Sequence, residues 1–419
     1  MRKRLLLKYY AIVAALVLLC FLAGQLLSAP LYPASIAGTA GTGDTNAAKN
    51  TQEPPAYFTV ADPESVGLKP EILQVFSDKI QALVDEGEAV GAVLTIIKDR
   101  KIVLHQAFGW ADKEFERPME TDTVCRMRSM TKPFVGTSIL MLAEQNKLAI
   151  ADKVAKYVPS FRNDKCRDIT IAQLLTHTGG YDQPGYPNGP QAYSDLKALV
   201  DKIGEVGPTH EPGNRYNYSD AGSSTLAHIV SVVSNMPAED FIRKNIIEPL
   251  GLKGTDCNMF KDNPLRPRVS STYRRMQKVW IKYWVNTARQ AVPYFRGSGG
   301  MYSTTLDYAK FMAMWMDMGQ IGGTAGQWSG KRLLSPETVK QALTPSRLSR
   351  NGDEGYGFQW QIFHESDGVF GHGGSDGTVA IASPKDDLML LCFTQSRGGP
   401  TASTIRSLFF EVWGRTPTF

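Results

Sequence analysis

Short apolar runs and longer helical periods occupy different parts of the chain. Residues 90–98 (VGAVLTIIK) and 102–109 (IVLHQAFG) read as strands, and the charged triplet Asp99-Arg100-Lys101 between them predicts a hairpin. Residues 378–382 (TVAIA) and 388–394 (LMLLCFT) predict a second hairpin, joined through Pro384-Lys385-Asp386-Asp387. In 68–86, Ile72, Leu73, Phe76, Ile80 and Leu83 recur at helical spacing, and 402–413 (ASTIRSLFFEVW) predicts a closing helix. The middle, 130–350, reads mostly as helix and loop. Strands near both ends with helices between them predict one sheet built from both ends of the domain. That is an α/β architecture of the α+β type with a helical insertion and the site at the seam.

The N-terminus has another pattern. Residues 2–8 are basic, Tyr9–Leu27 carries no charge, and Ala11–Ala23 is wholly apolar. This matches the n- and h-regions of a secretory signal. A stretch of about 17–19 such residues is also near the lower limit for a spanning helix. Pro30 after Ala29 disfavours cleavage there, and Leu19 before Cys20 disfavours a lipoprotein site. Residues 1–29 therefore read as a signal peptide or a signal-anchor, both left open. Residues 35–54 are small and polar, so 30–56 reads as a flexible linker, which leaves 57–419 as the globular domain. Either form of the leader predicts export: periplasmic or secreted, or anchored to the inner membrane through 9–27.

Composition narrows the function. The 419 residues carry a net charge of +5, and Arg2, Lys3, Arg4 and Lys8 supply four of those charges. The rest is near neutral, which argues against a nucleic-acid partner. Glycine and proline are too few for a collagenous or disordered chain. Of five cysteines, Cys125, Cys166, Cys257 and Cys392 fall beyond the leader, with no CxxC; four allow three pairings, and spacing does not choose among them. Cys392 lies in an apolar run and reads as core. The six histidines form no HxH or HExxH, so a metal hydrolase is disfavoured.

Three stretches can carry chemistry. In the first, Ser129-Met130-Thr131-Lys132-Pro133 precedes a long apolar helix pattern. Ser129 reads as its N-cap, Pro133 fits the first turn, and Lys132 lies one turn above Ser129 on the same face. A desolvated lysine can act as a base for the serine or stay charged and stabilise its alkoxide. In the second stretch, Tyr218-Ser219-Asp220 precedes another helix. Tyr218 can serve as general base, while Asp220 can accept from Lys132, orient the tyrosine or cap the helix. The third is His372-Gly373-Gly374-Ser375, before the strand TVAIA. Its glycines permit close substrate approach, and the Ser375 and Ser129 N–H groups can form an oxyanion hole. His372 can contact a substrate carboxylate or Tyr218. The bland readings are a capping serine with a surface lysine, a packing tyrosine and a tight glycine turn. Residues 373–377 also match G-x-S-x-G. That elbow needs a helix after it and a later histidine; a strand follows here, and His372 is the last histidine.

In this order, the three stretches resemble the serine β-lactamase and penicillin-binding-protein-like superfamily, closest to the class C branch with its esterase and D-peptidase relatives. LLTHTGG (174–180), PGNRYNYSD (212–220) and GSGGMYSTTLDYAKFM (297–312) add to the resemblance, which covers roughly 65–419. It implies an antiparallel sheet flanked by helices, an all-helical lobe, and an acyl-serine enzyme without metal or organic cofactor. Ser129 would attack, activated by Lys132 and Tyr218. Two departures stand out: His372 replaces the lysine of Lys-Thr-Gly, and Asp220 replaces an asparagine. The expectation is a carboxylesterase acting on small or medium acyl esters. A β-lactamase or D-amino-acid peptidase or amidase is the alternative, and a non-catalytic binding protein of the same fold is the second. The partner expected is a small-molecule ester or amide, with membrane contact through the N-terminal segment.

Residues 266–296 mix eight basic residues with Trp280, Tyr283, Trp284, Tyr294 and Phe295. They read as a rim that selects apolar acyl groups, a membrane or partner surface, or a surface excursion with snorkelling side chains. A rim predicts that deleting 272–290 changes substrate preference more than folding.

Overall fold

The chain begins with a two-residue edge strand β1 (Thr59–Val60) and helix α1 (Pro70–Asp85), whose periodic Leu73, Phe76, Ile80 and Leu83 are buried. The hairpin β2 (Gly91–Lys98) and β3 (Lys101–Asp112) follows. Asp99 and Arg100 make its turn with φ of 51° and 60°, the left-handed pair that suits strand twist. A computed structural model describes residues 57–413 apart from 260–261, 286–291, 323–329 and 353. The leader 1–29 and linker 30–56 lie outside the described residues, as does part of 266–296.

Helix α2 (Lys132–Glu144) comes next, and the buried residues include its whole run from Lys132 to Leu142. A helix apolar on all sides must lie inside the molecule. It packs against α3 (Asp220–Ser234). A second hairpin, β4 (Thr272–Met276) and β5 (Val279–Trp284), lies in the part of the chain expected to be helix and loop. After α4 (Thr305–Met316) come β6 (Gly355–Tyr356), β7 (Gln361–His364) and β8 (Val369–Gly373), which the apolar pattern did not predict because they are short and glycine-interrupted. The predicted hairpin β9 (Val379–Ser383) and β10 (Leu388–Thr394) and the closing helix α5 (Thr401–Val412) complete the domain.

The sheet runs β1-β3-β2-β10-β9-β8-β7-β6, with 117–118 added on β3. Every pair is antiparallel except β1 with β3. Residues 92–98 pair with 388–394 at its centre, so both ends of the domain do build one sheet. Strand β10 is buried on both faces, and its period of two divides the core. Leu388, Leu390 and Cys392 pack with α1 and α5. Met389, Leu391 and Phe393 face the helical lobe, with Phe134, Phe311 and Trp360. Cys125, Cys166, Cys257 and Cys392 are all buried free thiols.

The β4–β5 hairpin is not a loose excursion. One face carries exposed Met276, Val279 and Ile281. From the other, Trp280 Nε1 donates to the Gly87 carbonyl, Arg275 pairs with Glu88, and Lys282 reaches Asp112 at 2.5 Å and Glu114 at 2.6 Å. Tyr273 is 1% exposed. Deleting 272–290 would therefore strip buried packing and leave Asp112 without its cation. That corrects the expectation that folding and preference could be separated by deletion.

Candidate active site

Arg128–Thr131 forms a 3₁₀ turn that runs directly into α2, with Pro133 in the first helical turn as expected. Thr131, which precedes α2, already has right-handed helical angles, so no extended N-cap residue stands at Ser129. The expected cap is absent. Instead the Ser129 hydroxyl is left facing Lys132 Nζ at 3.4 Å.

Lys132 is 0% exposed. Its ammonium donates to Asp220 Oδ1 at 2.8 Å and to the Ser298 carbonyl at 3.3 Å, and lies 4.6 Å from the Tyr218 ring centroid. Burial pushes its pKa down, but Asp220 and Tyr218 more than reverse this, and the net shift is upward. Burial likewise pushes the Asp220 carboxyl up, and Lys132 and Arg296 bring it below the ordinary range. The pair is thus a buried ammonium–carboxylate, and Lys132 is the charged stabiliser of the two roles open to it. Asp220 accepts from Lys132 as foreseen, but the cap of α3 belongs to Ser219, whose Oγ accepts from the Gly222 N–H at 3.3 Å.

Tyr218 is half-buried beside a histidine that the sequence reading did not assign. His177, in LLTHTGG, lies 4.4 Å from the Tyr218 ring and 4.7 Å from Tyr356 between centroids. The Ser219 N–H points at His177 Nδ1 at 3.3 Å, which fixes Nδ1 as the acceptor. Burial, then Lys132 and His372, hold its pKa well below the usual value. A neutral His177 therefore backs the Tyr218 ring. The signal available was a histidine in a glycine turn, which by itself names no role.

His372 lies on β8, not in a turn. Its Nδ1 donates to the Gly373 carbonyl at 2.7 Å and its Nε2 accepts from the Tyr356 hydroxyl at 3.0 Å. Burial and Lys132 bring its pKa down to about 3. It is neutral with both nitrogens engaged, so it supplies no cation for a carboxylate, and its hydroxyl partner is Tyr356 instead of Tyr218. Gly374 packs on the nucleophile turn: a Cβ there would stand 2.4 Å from the Met127 carbonyl oxygen. Gly374 N–H donates to the Thr378 carbonyl at 2.7 Å.

These groups border a cavity of about 250 Å³. Ser129, Tyr218, His372, Gly373 and Gly374 line it together with Phe363 and Arg406. Of the other predicted site residues, Lys132 and Asp220 do not line it but join the site through the Lys132 contacts to Ser129 and Asp220, and Ser375 is exposed on the turn and does not line it. A second cavity of about 200 Å³ shares Gln361, Phe363 and Arg406 with the first.

An antiparallel sheet flanked by helices, with a half-buried serine, a buried lysine one turn on and a tyrosine at one cavity wall, has the architecture of a serine acyl-transfer hydrolase. A model of the Beta-lactamase family matches residues 76–408, and the chain belongs to that family; it is a serine hydrolase of the β-lactamase and penicillin-binding-protein superfamily. A putative D-alanyl-D-alanine carboxypeptidase of Escherichia coli K12 is 27% identical over 389 residues, covering 82% of this chain and 87% of that protein. Among solved structures, EstCE1, a hydrolase with promiscuous acyltransferase activity, aligns with a TM-score of 0.69 at 20% identity, over 81% of this chain and 99% of that one. An octameric penicillin-binding protein homologue from Pyrococcus abyssi aligns with a TM-score of 0.68 at 23% identity, over 82% and 78%.

Proposed function

We propose that this protein is an exported carboxylesterase that cleaves small or medium acyl esters through an acyl-Ser129 intermediate. The observation that carries the ester preference is His372. Where β-lactamases hold a lysine for the drug carboxylate, this site holds a neutral imidazole with both nitrogens engaged. Ser129 Oγ attacks the ester carbonyl carbon. With Lys132 held as an ammonium, Tyr218 acts as a relay: its oxygen takes the Ser129 proton as its own hydroxyl proton passes to the leaving alkoxide, which departs as the alcohol. The carbonyl oxygen takes up negative charge beside the Ser129 N–H, next to the Gly373–Gly374 strand end. Water then attacks the acyl carbon, returning the proton to Ser129 and releasing the acid. The cavity of about 250 Å³ suits a short acyl chain.

The test is hydrolysis of p-nitrophenyl butyrate and nitrocefin side by side, with Ser129→Ala as control. Ester turnover that the substitution abolishes, with little nitrocefin turnover, is the expected result. Dominant nitrocefin turnover would reverse the preference. Absence of fluorophosphonate labelling in folded protein would instead support a non-catalytic binding role.

One observation favours a second reading. Arg406 lines the cavity wall and makes no hydrogen bond or ion pair among the described residues, so a cation does face the cavity from α5. A substrate with a free carboxylate, such as a D-alanyl-D-alanine peptide, would find it there. Release of D-alanine from such a peptide, lost in Arg406→Ala with ester hydrolysis retained, would establish that reading. Export is tested separately, by fractionating cells that express the full chain.

A further inference from the structure

The residue just before the nucleophile is held in an unusual conformation, and the group that holds it has no role so far. Arg128 has φ of 50°, in the left-handed region that side-chain-bearing residues seldom adopt. Its Nε donates to Asp376 Oδ2 at 2.6 Å, and a second guanidinium nitrogen donates to the Tyr283 hydroxyl at 3.0 Å. Tyr283 in turn donates to Asp376 Oδ1 at 2.6 Å. Asp376 is 0% exposed, with Arg126 and Arg397 each at 4.0 Å.

The three corners come from three parts of the chain. Arg128 precedes Ser129, Asp376 lies on the turn after Gly373 and Gly374, and Tyr283 lies on β5. A backbone approach lies beside this triangle: Gly374 rests on the Met127 carbonyl, where no Cβ fits. The nucleophile turn and the end of β8 are thus clasped at two points immediately before Ser129, at Met127 and at Arg128. Reacting groups must be fixed to within a fraction of an ångström for acyl transfer, and a clasp at that seam fixes the relation of Ser129 to the β8 wall.

We infer that Asp376 is a positioning residue for catalysis. Through Arg128 it sets Ser129 against the Gly373–Gly374 strand end, and through Tyr283 it ties the β4–β5 hairpin to the rate of acyl transfer. The inference rests on Ser129 as the nucleophile. It makes the hairpin a part of the catalytic frame, not only a surface.

The experiment compares wild type, Asp376→Asn and Tyr283→Phe in p-nitrophenyl butyrate hydrolysis. Rates are expressed per active site titrated with a fluorophosphonate, and melting temperature is recorded in parallel. Asparagine keeps the shape but loses the charge that holds Arg128. Phenylalanine removes one hydroxyl and leaves the Arg128–Asp376 pair. We expect kcat per titrated site to fall roughly tenfold or more in Asp376→Asn and about threefold or more in Tyr283→Phe, with KM little changed. A purely structural role would lower the melting temperature and the number of titratable sites while each remaining site turned over at the wild-type rate; that result overturns the inference. If Asp376→Asn does not fold, Tyr283→Phe decides by the same criterion. Wild type and Ser129→Ala in the same assay separate a failure of this inference from a failure of the nucleophile assignment.

Discussion

The charge state of the Lys132–Asp220 pair can be tested by Asp220→Asn. Asparagine keeps an acceptor oxygen 2.8 Å from the ammonium but removes the carboxylate charge, while Lys132 stays fully buried. Removing one partner of a buried pair typically costs about 3–5 kcal/mol; the retained acceptor places this case near about 3 kcal/mol. With an unfolding entropy of about 2 cal/mol/K per residue, a domain of roughly 350 residues loses about 1–2 °C per kcal/mol, so Tm should fall by roughly 4 °C. The two shifts then fix the pH dependence. Asp220 sits below its ordinary pKa when folded, so its contribution is full above the ordinary carboxyl value and is lost as pH falls through the lowered one. Lys132 sits above its ordinary pKa, so its contribution is full below that value and is lost as pH rises through the raised one. The Tm gap between wild type and variant should therefore be flat from about pH 5 up to the lowered Lys132 pKa of the variant, and close at lower and at higher pH. In the variant, burial acts on Lys132 without the Asp220 charge, its pKa drops, and the rate profile should gain an inflection on the alkaline side that wild type lacks. Calorimetry across pH together with kcat/KM for p-nitrophenyl butyrate gives both readouts. A variant with wild-type Tm and an unchanged pH–rate profile would show that the pair is not the charged contact described.

Three further outcomes are expected. Gly374→Ala places a methyl 2.4 Å from the Met127 oxygen and 2.2 Å from Thr378 Oγ1, so β8 and the nucleophile turn must part. A displacement of about 1 Å costs on the order of 10²-fold, and kcat/KM for the ester should fall by that order while circular dichroism shows a folded protein. His372 has its pKa lowered to about 3, so its neutral form favours folding above the ordinary histidine value, and that contribution is lost as pH falls from about 6.5 towards 3. His372→Gln should therefore flatten the dependence of denaturation midpoint on pH between about 4 and 6, and an unchanged slope would count against the buried neutral imidazole. Tyr356→Phe removes the donor to His372 Nε2 and should destabilise by about 1–3 kcal/mol in urea titration, since a buried acceptor loses its partner.

The sequence alone determined the parts of this protein that depend on near neighbours. The two predicted hairpins, β2–β3 and β9–β10, with α1 and α5, follow from periods of two and about 3.6 and from turn residues within a few positions of each other. The spacing of Ser129 and Lys132 is likewise local: one helical turn brings them together wherever the helix lies. The resemblance of the three stretches carried the family and the general architecture. Tertiary structure decided what depends on residues far apart in the chain. Lys132 and Asp220 are 88 positions apart, and Arg128 and Asp376 are 248 apart. Whether a lysine is a base or a fixed cation depends on who faces it and how dry the site is, and neither is written in its neighbours along the chain. The same holds for His372, which in sequence is a titratable residue beside glycines and in the fold is a neutral ring held by Tyr356. Ser375 illustrates the converse. Its place after Gly374 suggested an oxyanion donor, but the turn that lets Asp376 reach Arg128 leaves Ser375 on the surface. Local sequence sets torsions and periods; burial and the meeting of distant charges set protonation and reach, and those exist only once the sheet has brought both ends of the domain together.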